Sequence, residues 1–501
     1  MGKRAAGILM PISSLPSDYG IGCFSKSAYE FVDWLKEAGQ TYWQILPLGP
    51  TSYGDSPYQS FSTFAGNPYF IDLDTLVEEG VLTKEDCDKV SWGRRADSVD
   101  YEKIYKGRYK LLRKAYENSN ISENPDYQKF VAENSWWLSD YALFMAVKDQ
   151  FGGVEWTKWA EDIRLRWANA MDYYRRELYF DIEFQQYMQF KFYEQWMKLK
   201  SYANSKGIQI IGDIPIYVAM DSADAWAHPE LFQLDQDNVP LAVAGCPPDG
   251  FSATGQLWGN PLYRWDYHRN TGYQWWISRM SYCFRLYDVV RIDHFRGFDE
   301  YFSIPYGDKD ARGGHWEKGP GIDLFRKIEQ ALGWKQVIAE DLGYMTDSVR
   351  HLVYESGFPG MKVLEFAFDS RDSGCASDYL PHNYPENCVA YTGTHDNETI
   401  VGWWKSITAA ERKLARDYLC DHATPEEELY KCFISLIMRS AARVCVIPMQ
   451  DYMGLDNRFR MNKPSTVGTN WKWRIKKRDL TKKLQKEIYD VTLRYGRKNW
   501  D

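Results

Sequence analysis

Eight short apolar segments recur along the 501-residue chain, and each ends in polar or charged residues. Several carry apolar side chains at successive positions, as strands of a parallel sheet covered on both faces require. Helical patterns lie between many of them. This alternation predicts an α/β fold, a (β/α)8 TIM barrel. The predicted strands are residues 5–14, 41–49, 208–218, 287–295, 336–343, 361–369, 388–396 and 443–451.

The gap between the second and third predicted strands is far longer than a crossover needs. It contains aromatic residues at helical spacing, which favour packed helices over a ligand site. We therefore predict a large, mainly helical insertion and a long active-site loop after the third strand, where residues 246–263 are rich in Pro and Gly. The predicted division is residues 1–50 as the start of the catalytic barrel, 51–206 as the insertion, and 207–501 as the remaining barrel with a loop insertion at 219–275.

Composition excludes several classes of function. The formal net charge of −8 disfavours a nucleic-acid-binding surface. No apolar stretch approaches 18 residues, and the N-terminal apolar run is too short for a signal peptide, so we expect no membrane span. The nine cysteines are scattered and contain no CxxC pair, which is typical of a reduced, cytoplasmic protein.

Acidic residues stand at the ends of the predicted strands. Asp293, Glu340 and Asp396 each follow an apolar run, and Asp213 ends the apolar part of another. Because residues two apart in a strand share a face, Arg291 should point with Asp293 into the barrel mouth and hold it ionised. Apolar surroundings and neighbouring carboxylates should instead raise the pKa of Glu340 and favour its protonated form.

An ionised carboxylate beside a protonated carboxylic acid is the pair that cleaves glycosidic bonds. Each acidic residue alone could equally be a helix cap or an ion-pair partner, but their grouping on several strands favours catalysis. Whether such a pair retains or inverts the configuration at the anomeric carbon depends on the distance between its two carboxyl groups.

Other chemistries have little support. There is no HExxH pair, no nucleotide-binding glycine motif and no GxSxG elbow. A metal site built on His294 and His395 is conceivable, but binding of sugar hydroxyl groups explains the same residues. We therefore expect no metal and no organic cofactor.

The motifs VRIDHFRGF, VIAEDLG, YTGTHDNET, GDIPIYV, GDSPYQSFSTFAGNPYF and PPDGFSATGQLWGNPLY together resemble the 4-α-glucanotransferases, the amylomaltases or disproportionating enzymes of glycoside hydrolase family 77. The resemblance implies that Asp293 is the nucleophile, Glu340 the general acid/base, and Asp396 the third carboxylate, which binds ring hydroxyls. It implies substrate contacts at Tyr58, Asp213, Asp249, Gln256, Trp258, Arg291, His395 and Asn462.

The resemblance also implies an activity. We expect the protein to move a segment of an α-1,4-glucan to the 4-hydroxyl of another glucan or of glucose by retaining double displacement, with maltooligosaccharides as partners and without a C-terminal β-sandwich. Gly250 departs from the family pattern, in which a bulkier residue is common. The alternatives are an α-1,4-glucan hydrolase with the same carboxylates and a non-catalytic glucan-binding protein.

Overall fold

A computed structural model of the chain describes residues 3–248, 252–343, 345–370 and 377–500. Within these ranges each of the eight predicted segments overlaps a strand. The strands are β1 (Ala5–Leu9), β2 (Tyr42–Gln44), β3 (Gln209–Ile214), β4 (Ala242–Cys246), β5 (Gln256–Pro261), β6 (Val289–Ile292), β7 (Glu300–Pro305), β8 (His315–Lys318), β9 (Val337–Ala339), β10 (Gly360–Val363), β11 (Cys388–Tyr391) and β12 (Val444–Pro448).

Eight of these strands form one parallel sheet in the order β10-β11-β12-β1-β2-β3-β6-β9. The two outer strands of this order also meet, because the Ala339 N–H donates to the Pro359 carbonyl at 3.0 Å. The sheet is therefore a nearly closed barrel, as predicted. All eight strands point the same way, so their carboxyl ends gather at one mouth.

The helices cover the barrel and form most of the insertion between β2 and β3. They are α1 (Lys26–Glu37), α2 (Leu73–Glu78), α3 (Lys84–Asp88), α4 (Tyr101–Asn118), α5 (Pro125–Gln150), α6 (Glu161–Arg164), α7 (Ala168–Glu177), α8 (Tyr179–Ser205), α9 (Ala223–Ala227), α10 (Trp265–Asn270), α11 (Gln274–Leu286), α12 (Ile322–Leu332), α13 (Asp347–Ser356), α14 (Ile400–Ser406), α15 (Ala409–Leu419), α16 (Leu429–Arg439), α17 (Met449–Tyr452) and α18 (Lys482–Arg494).

The aromatic residues of the insertion belong to its core, as predicted. On α5, Tyr141 and Phe144 are fully buried, and on α8 the same holds for Trp196. The two helices pack against each other, so their aromatic faces exclude water instead of lining a ligand site. No helix in the described ranges has the length and apolar character needed to cross a membrane.

The prediction of an irregular loop over residues 246–263 is wrong for its second half. Residues 256–261 form β5, which belongs to a four-stranded antiparallel sheet of order β5-β4-β7-β8. The close approach of β4 and β5 needs a residue without a side chain, since a Cβ at Gly245 would lie 2.2 Å from the Gln256 carbonyl oxygen. In the described residues after β12 the named elements are helical.

Candidate active site

A buried arginine joins two carboxylates from neighbouring strands at the barrel mouth. Arg291, on β6, donates from Nη1 to both carboxylate oxygens of Asp213 on β3, at 2.8 and 2.7 Å. Its Nη2 lies 3.0 Å from Oδ1 of Asp293, which directly follows β6. The predicted contact between Arg291 and Asp293 is therefore present, but Arg291 is also committed to a second carboxylate.

Burial outweighs the arginine in setting the protonation of Asp293. The low-polarity surroundings raise the pKa of this carboxyl to about 6; Arg291 lowers it, while the negative charges of Asp213 and Asp396 raise it. The lowering of the pKa expected from Arg291 is present, but burial produces a net rise that the sequence pattern does not indicate. With a pKa of about 6, Asp293 is still mainly ionised at pH 7, as predicted.

Glu340 directly follows β9 and is held by two backbone donors. Its Oε2 accepts a hydrogen bond from the His294 N–H at 2.6 Å, and its Oε1 accepts one from the Leu342 N–H at 2.9 Å. Burial and the charge of Asp293 raise its pKa to about 7, although Arg291 and the two N–H groups act in the opposite direction. The predicted rise is confirmed, and near neutral pH Glu340 can both give and take a proton.

A second network, continuous with the first, surrounds Asp396. The Tyr58 hydroxyl donates to Oδ2 of Asp213 at 2.8 Å and lies 3.3 Å from Nδ1 of His395. The two rings stack, with centroids 4.9 Å apart and planes inclined by 18°. Nε2 of His395 lies 3.3 Å from Oδ2 of Asp396, and Nδ2 of Asn462 donates to Oδ1 of Asp396 at 2.6 Å.

These contacts keep Asp396 ionised. Burial acts to raise its pKa, but the charge of His395 and the hydrogen bonds from His395 and Asn462 lower it to about 2. The side chain is 45% exposed, so solvent weakens these contributions. In return, Asp396 raises the pKa of His395 against the effect of burial. An ionised carboxylate that is open to solvent is suited to accept hydrogen bonds from sugar hydroxyl groups.

The antiparallel sheet brings β5 to the same mouth. The Trp258 ring meets the His294 ring edge to face at 4.9 Å, and its Nε1 donates to Oε1 of Gln256 at 3.0 Å. Through His294, Trp258 adjoins the backbone that holds Glu340. Asp249 and Gly250, also singled out in the sequence, lie outside the described residues.

Three contributors to this site were missed in the sequence. The N–H groups of His294 and Leu342 are backbone donors, which no residue type could have signalled. Arg460 donates to the Asp396 carbonyl and, from Nε, to the Asn462 carbonyl at 2.7 Å. Its proximity to Asn462 in the sequence was the available signal.

The described residues contain no group of three or more His, Cys, Asp or Glu side chains arranged to hold a metal ion. His395 faces Tyr58 and Asp396, whereas His294 faces Trp258. The site combines three carboxyl groups: Asp293 is mainly ionised at pH 7, Glu340 titrates near neutral pH, and Asp396 stays ionised. This set suits proton transfer combined with nucleophilic attack.

Comparison with known proteins agrees with this chemistry. A family model described as 4-alpha-glucanotransferase matches residues 10–481. A 4-alpha-glucanotransferase of Clostridium butyricum is 49% identical over 97% of this chain and all of its own, and one of Thermus thermophilus is 46% identical over 94% and 95%. The structure of amylomaltase from Streptococcus agalactiae in complex with acarbose superposes with a TM-score of 0.96 at 44% identity, covering 99% of this chain and 100% of that one. The chain therefore belongs to the 4-α-glucanotransferase family.

Proposed function

We propose that the protein transfers a segment of an α-1,4-glucan to the 4-hydroxyl of another glucan or of glucose by a retaining double displacement. The observation that carries the proposal is the pair Asp293 and Glu340 at the ends of the neighbouring strands β6 and β9. The pKa of Asp293 is about 6 and that of Glu340 about 7. Between these values Asp293 is mainly ionised, as a nucleophile must be, and Glu340 is mainly protonated, as an acid must be.

In the first step, a carboxylate oxygen of Asp293 attacks the anomeric carbon of the donor glucan. The proton on Glu340 moves to the glycosidic oxygen, and the leaving part departs with a free 4-hydroxyl. The donor part stays attached to Asp293 as an ester. Asp396 and His395 bind the hydroxyl groups of the same sugar, and the two N–H donors keep the Glu340 carboxyl group in place.

In the second step, Glu340 acts as a base. It accepts the proton of the incoming 4-hydroxyl, whose oxygen attacks the anomeric carbon and releases Asp293. Two inversions at this carbon retain its α configuration. Transfer requires that a sugar reach the ester more readily than water does, and we assign this selection to β5 with Gln256 and Trp258, which adjoin His294.

We further propose that α-1,4-glucans and maltooligosaccharides bind in the mouth along Tyr58, Asp213, Arg291, His395 and Asn462. The related amylomaltase whose structure contains acarbose supports this assignment.

We also propose a cytoplasmic location, which is supported by the eight cysteines of the described residues, all of them free thiols. The reaction as written needs neither a metal nor an organic cofactor.

Maltotriose tests the proposal against hydrolysis. A transferase converts maltotriose into glucose and longer oligosaccharides while the number of reducing ends stays constant. We expect chromatography to show these products, with a flat signal in a reducing-end assay. Reducing ends that rise in step with maltotriose consumption would support an α-1,4-glucan hydrolase instead.

Asp293→Asn tests the non-catalytic alternative. The amide lacks the nucleophilic charge but has nearly the same shape, so we expect turnover to be abolished and maltooligosaccharide binding to persist in calorimetry. A wild-type protein that binds glucans but leaves maltotriose unchanged would establish a binding protein.

A further inference from the structure

A cavity of about 470 Å³ opens at the amino-terminal end of the barrel. Its wall includes the first residues of several strands, among them Ala5, Tyr42, Val337 and Val444. Because the eight strands are parallel, this end lies opposite the mouth that holds Asp293. The volume is within the range of small-molecule sites.

The cavity is positively charged in a protein whose formal net charge is −8. Lys3, Arg4, Arg443 and Lys498 line it, and none of its lining residues in the described ranges is acidic. Low-dielectric walls lined by one sign of charge concentrate the field and attract ions of the opposite sign. The cavity therefore favours an anionic ligand.

Backbone carbonyls hold one of these basic side chains in place. Arg4 donates to backbone carbonyls, those of Ser440 at 2.7 Å and Met438 at 3.0 Å, which carry no full negative charge. These bonds therefore do not neutralise the charge of Arg4, and this charge adds to the positive field of the cavity.

Two tryptophans also line the cavity with much of their surface in solvent. Trp334 is 69% exposed and Trp500 is 67% exposed, although tryptophan is usually well buried. The ammonium of Lys498 lies 4.0 Å from the Trp500 ring centroid, so a cation stands beside an aromatic surface. Such a pairing suits a ligand that combines a negative group with a flat ring.

We infer that this cavity binds a small phosphorylated ligand carrying a ring. Arginine and lysine are the side chains that bind phosphate oxygens best, and an exposed indole can pack against a sugar ring or a nucleobase. A sugar phosphate and a nucleotide share this chemistry. The site is separate from the glucan site and does not depend on the proposed transfer reaction.

The test titrates the full chain with glucose 1-phosphate, ADP and inorganic phosphate, and with glucose and adenosine as uncharged counterparts. Tryptophan fluorescence and calorimetry report binding. We expect at least one of the two ring-bearing phosphates to bind about tenfold more tightly than inorganic phosphate and than its uncharged counterpart. Preference for glucose 1-phosphate identifies a sugar phosphate site, and preference for ADP identifies a nucleotide site. Equal binding of all five ligands, or no saturation by any of them, overturns the inference.

Variants locate the binding. Arg443→Gln and, separately, Lys498→Gln should weaken the preferred ligand about tenfold or more, and Trp500→Ala about fivefold, with less effect on inorganic phosphate. Arg494→Gln is the matched control, since Arg494 is exposed on α18 and does not line the cavity. Activity towards maltotriose should match that of the wild type in all four. Binding that survives both Arg443→Gln and Lys498→Gln lies elsewhere on the protein and contradicts the inference.

Discussion

Arg291 is the residue that links the charged groups of the candidate site. It bonds both oxygens of Asp213 and contacts Asp293, and its side chain is only 3% exposed. Without it, two carboxylates would face each other in a low-polarity environment. Ionisation of the proposed nucleophile therefore depends on an arginine that need not touch the reacting bond.

Arg291→Gln should consequently change the pH dependence as well as the rate. We expect kcat/KM for maltotriose to fall about 100-fold or more, and the acid limb of the pH profile to move upward by about 1 unit, because Asp293 loses its positive neighbour. Arg458→Gln, at an exposed arginine paired with Asp456, should behave as the wild type. An unchanged acid limb in the Arg291 variant would show that Arg291 does not lower the pKa of Asp293.

In the wild type, the two shifted carboxyl groups predict a narrow pH optimum. Activity needs Asp293 ionised, so kcat/KM should rise as pH increases through about 6, and it needs Glu340 protonated, so it should fall as pH increases through about 7. The measurement is the initial rate of maltotriose disproportionation at low substrate concentration between pH 4.5 and 9.

Glu340→Gln provides the matched control for the alkaline limb. With α-maltosyl fluoride as donor the fluoride leaving group needs no acid, so formation of the maltosyl-enzyme should proceed in this variant and should lose its alkaline limb. An alkaline limb that persists in this variant would assign it to a group other than Glu340.

At the scale of elements, the segment between β11 and α14 contains His395 and Asp396. The carboxylate of Asp451 forms hydrogen bonds at both ends of this segment. Asp451, on α17, is 1% exposed. Its Oδ2 accepts from Oγ1 of Thr392 at 2.5 Å and its Oδ1 from the Ile400 N–H at 2.8 Å. The position of Asp396 is thus set by a residue from the helix that follows the last barrel strand.

Asp451→Ala should release this segment. We expect kcat to fall about tenfold or more with a smaller change in KM, and the free energy of unfolding to fall by about 1–3 kcal/mol. Asp456→Asn, five residues further and partly exposed, serves as the control. If the Asp451 variant lost stability in urea but kept the wild-type kcat, Asp451 would have a structural role only.

The antiparallel sheet shows the limit of sequence patterns at this scale. The sequence QLWGNP contains three residues, Gly, Asn and Pro, that disfavour strands, and its composition is typical of a loop. The segment forms β5 because the backbone of β4 provides its hydrogen-bond partners. The absence of a side chain at Gly245 leaves room for the backbone of β5. Whether such a segment forms a strand depends mainly on pairing with a segment elsewhere in the chain and only weakly on its own strand propensity.

At the scale of the whole molecule, the end of the described chain closes onto the beginning of the barrel. Arg497 is fully buried, and its guanidinium donates to five backbone carbonyls, those of Ala5, Met438, Ser440, Ala442 and Arg443. Through these hydrogen bonds Arg497 connects β1, the segment before β12 and the end of α16. Burial lowers the pKa of this arginine, so the five carbonyl acceptors replace the water that would otherwise solvate its charge.

Arg497→Met keeps an unbranched side chain similar to the aliphatic part of arginine but removes every donor. Because the carbonyls stay buried, we expect the free energy of unfolding to fall by about 3 kcal/mol or more in urea denaturation. Activity per folded molecule should be unchanged, since Arg497 lies far from the mouth. Arg494→Met, at an exposed position of α18, should have little effect; equal stability of the two variants would contradict the anchoring role.

The sequence by itself determined the eight barrel strands and the position of Asp293, Glu340 and Asp396 at their carboxyl ends. An apolar run followed by an acidic residue is a local pattern, and parallel strands necessarily bring such ends together. Only the tertiary structure decided that Arg291 bonds Asp213 more fully than Asp293, that backbone donors hold Glu340, and that burial raises the pKa of Asp293. These outcomes depend on distances between segments far apart in the chain and on exclusion of water, which no local pattern encodes.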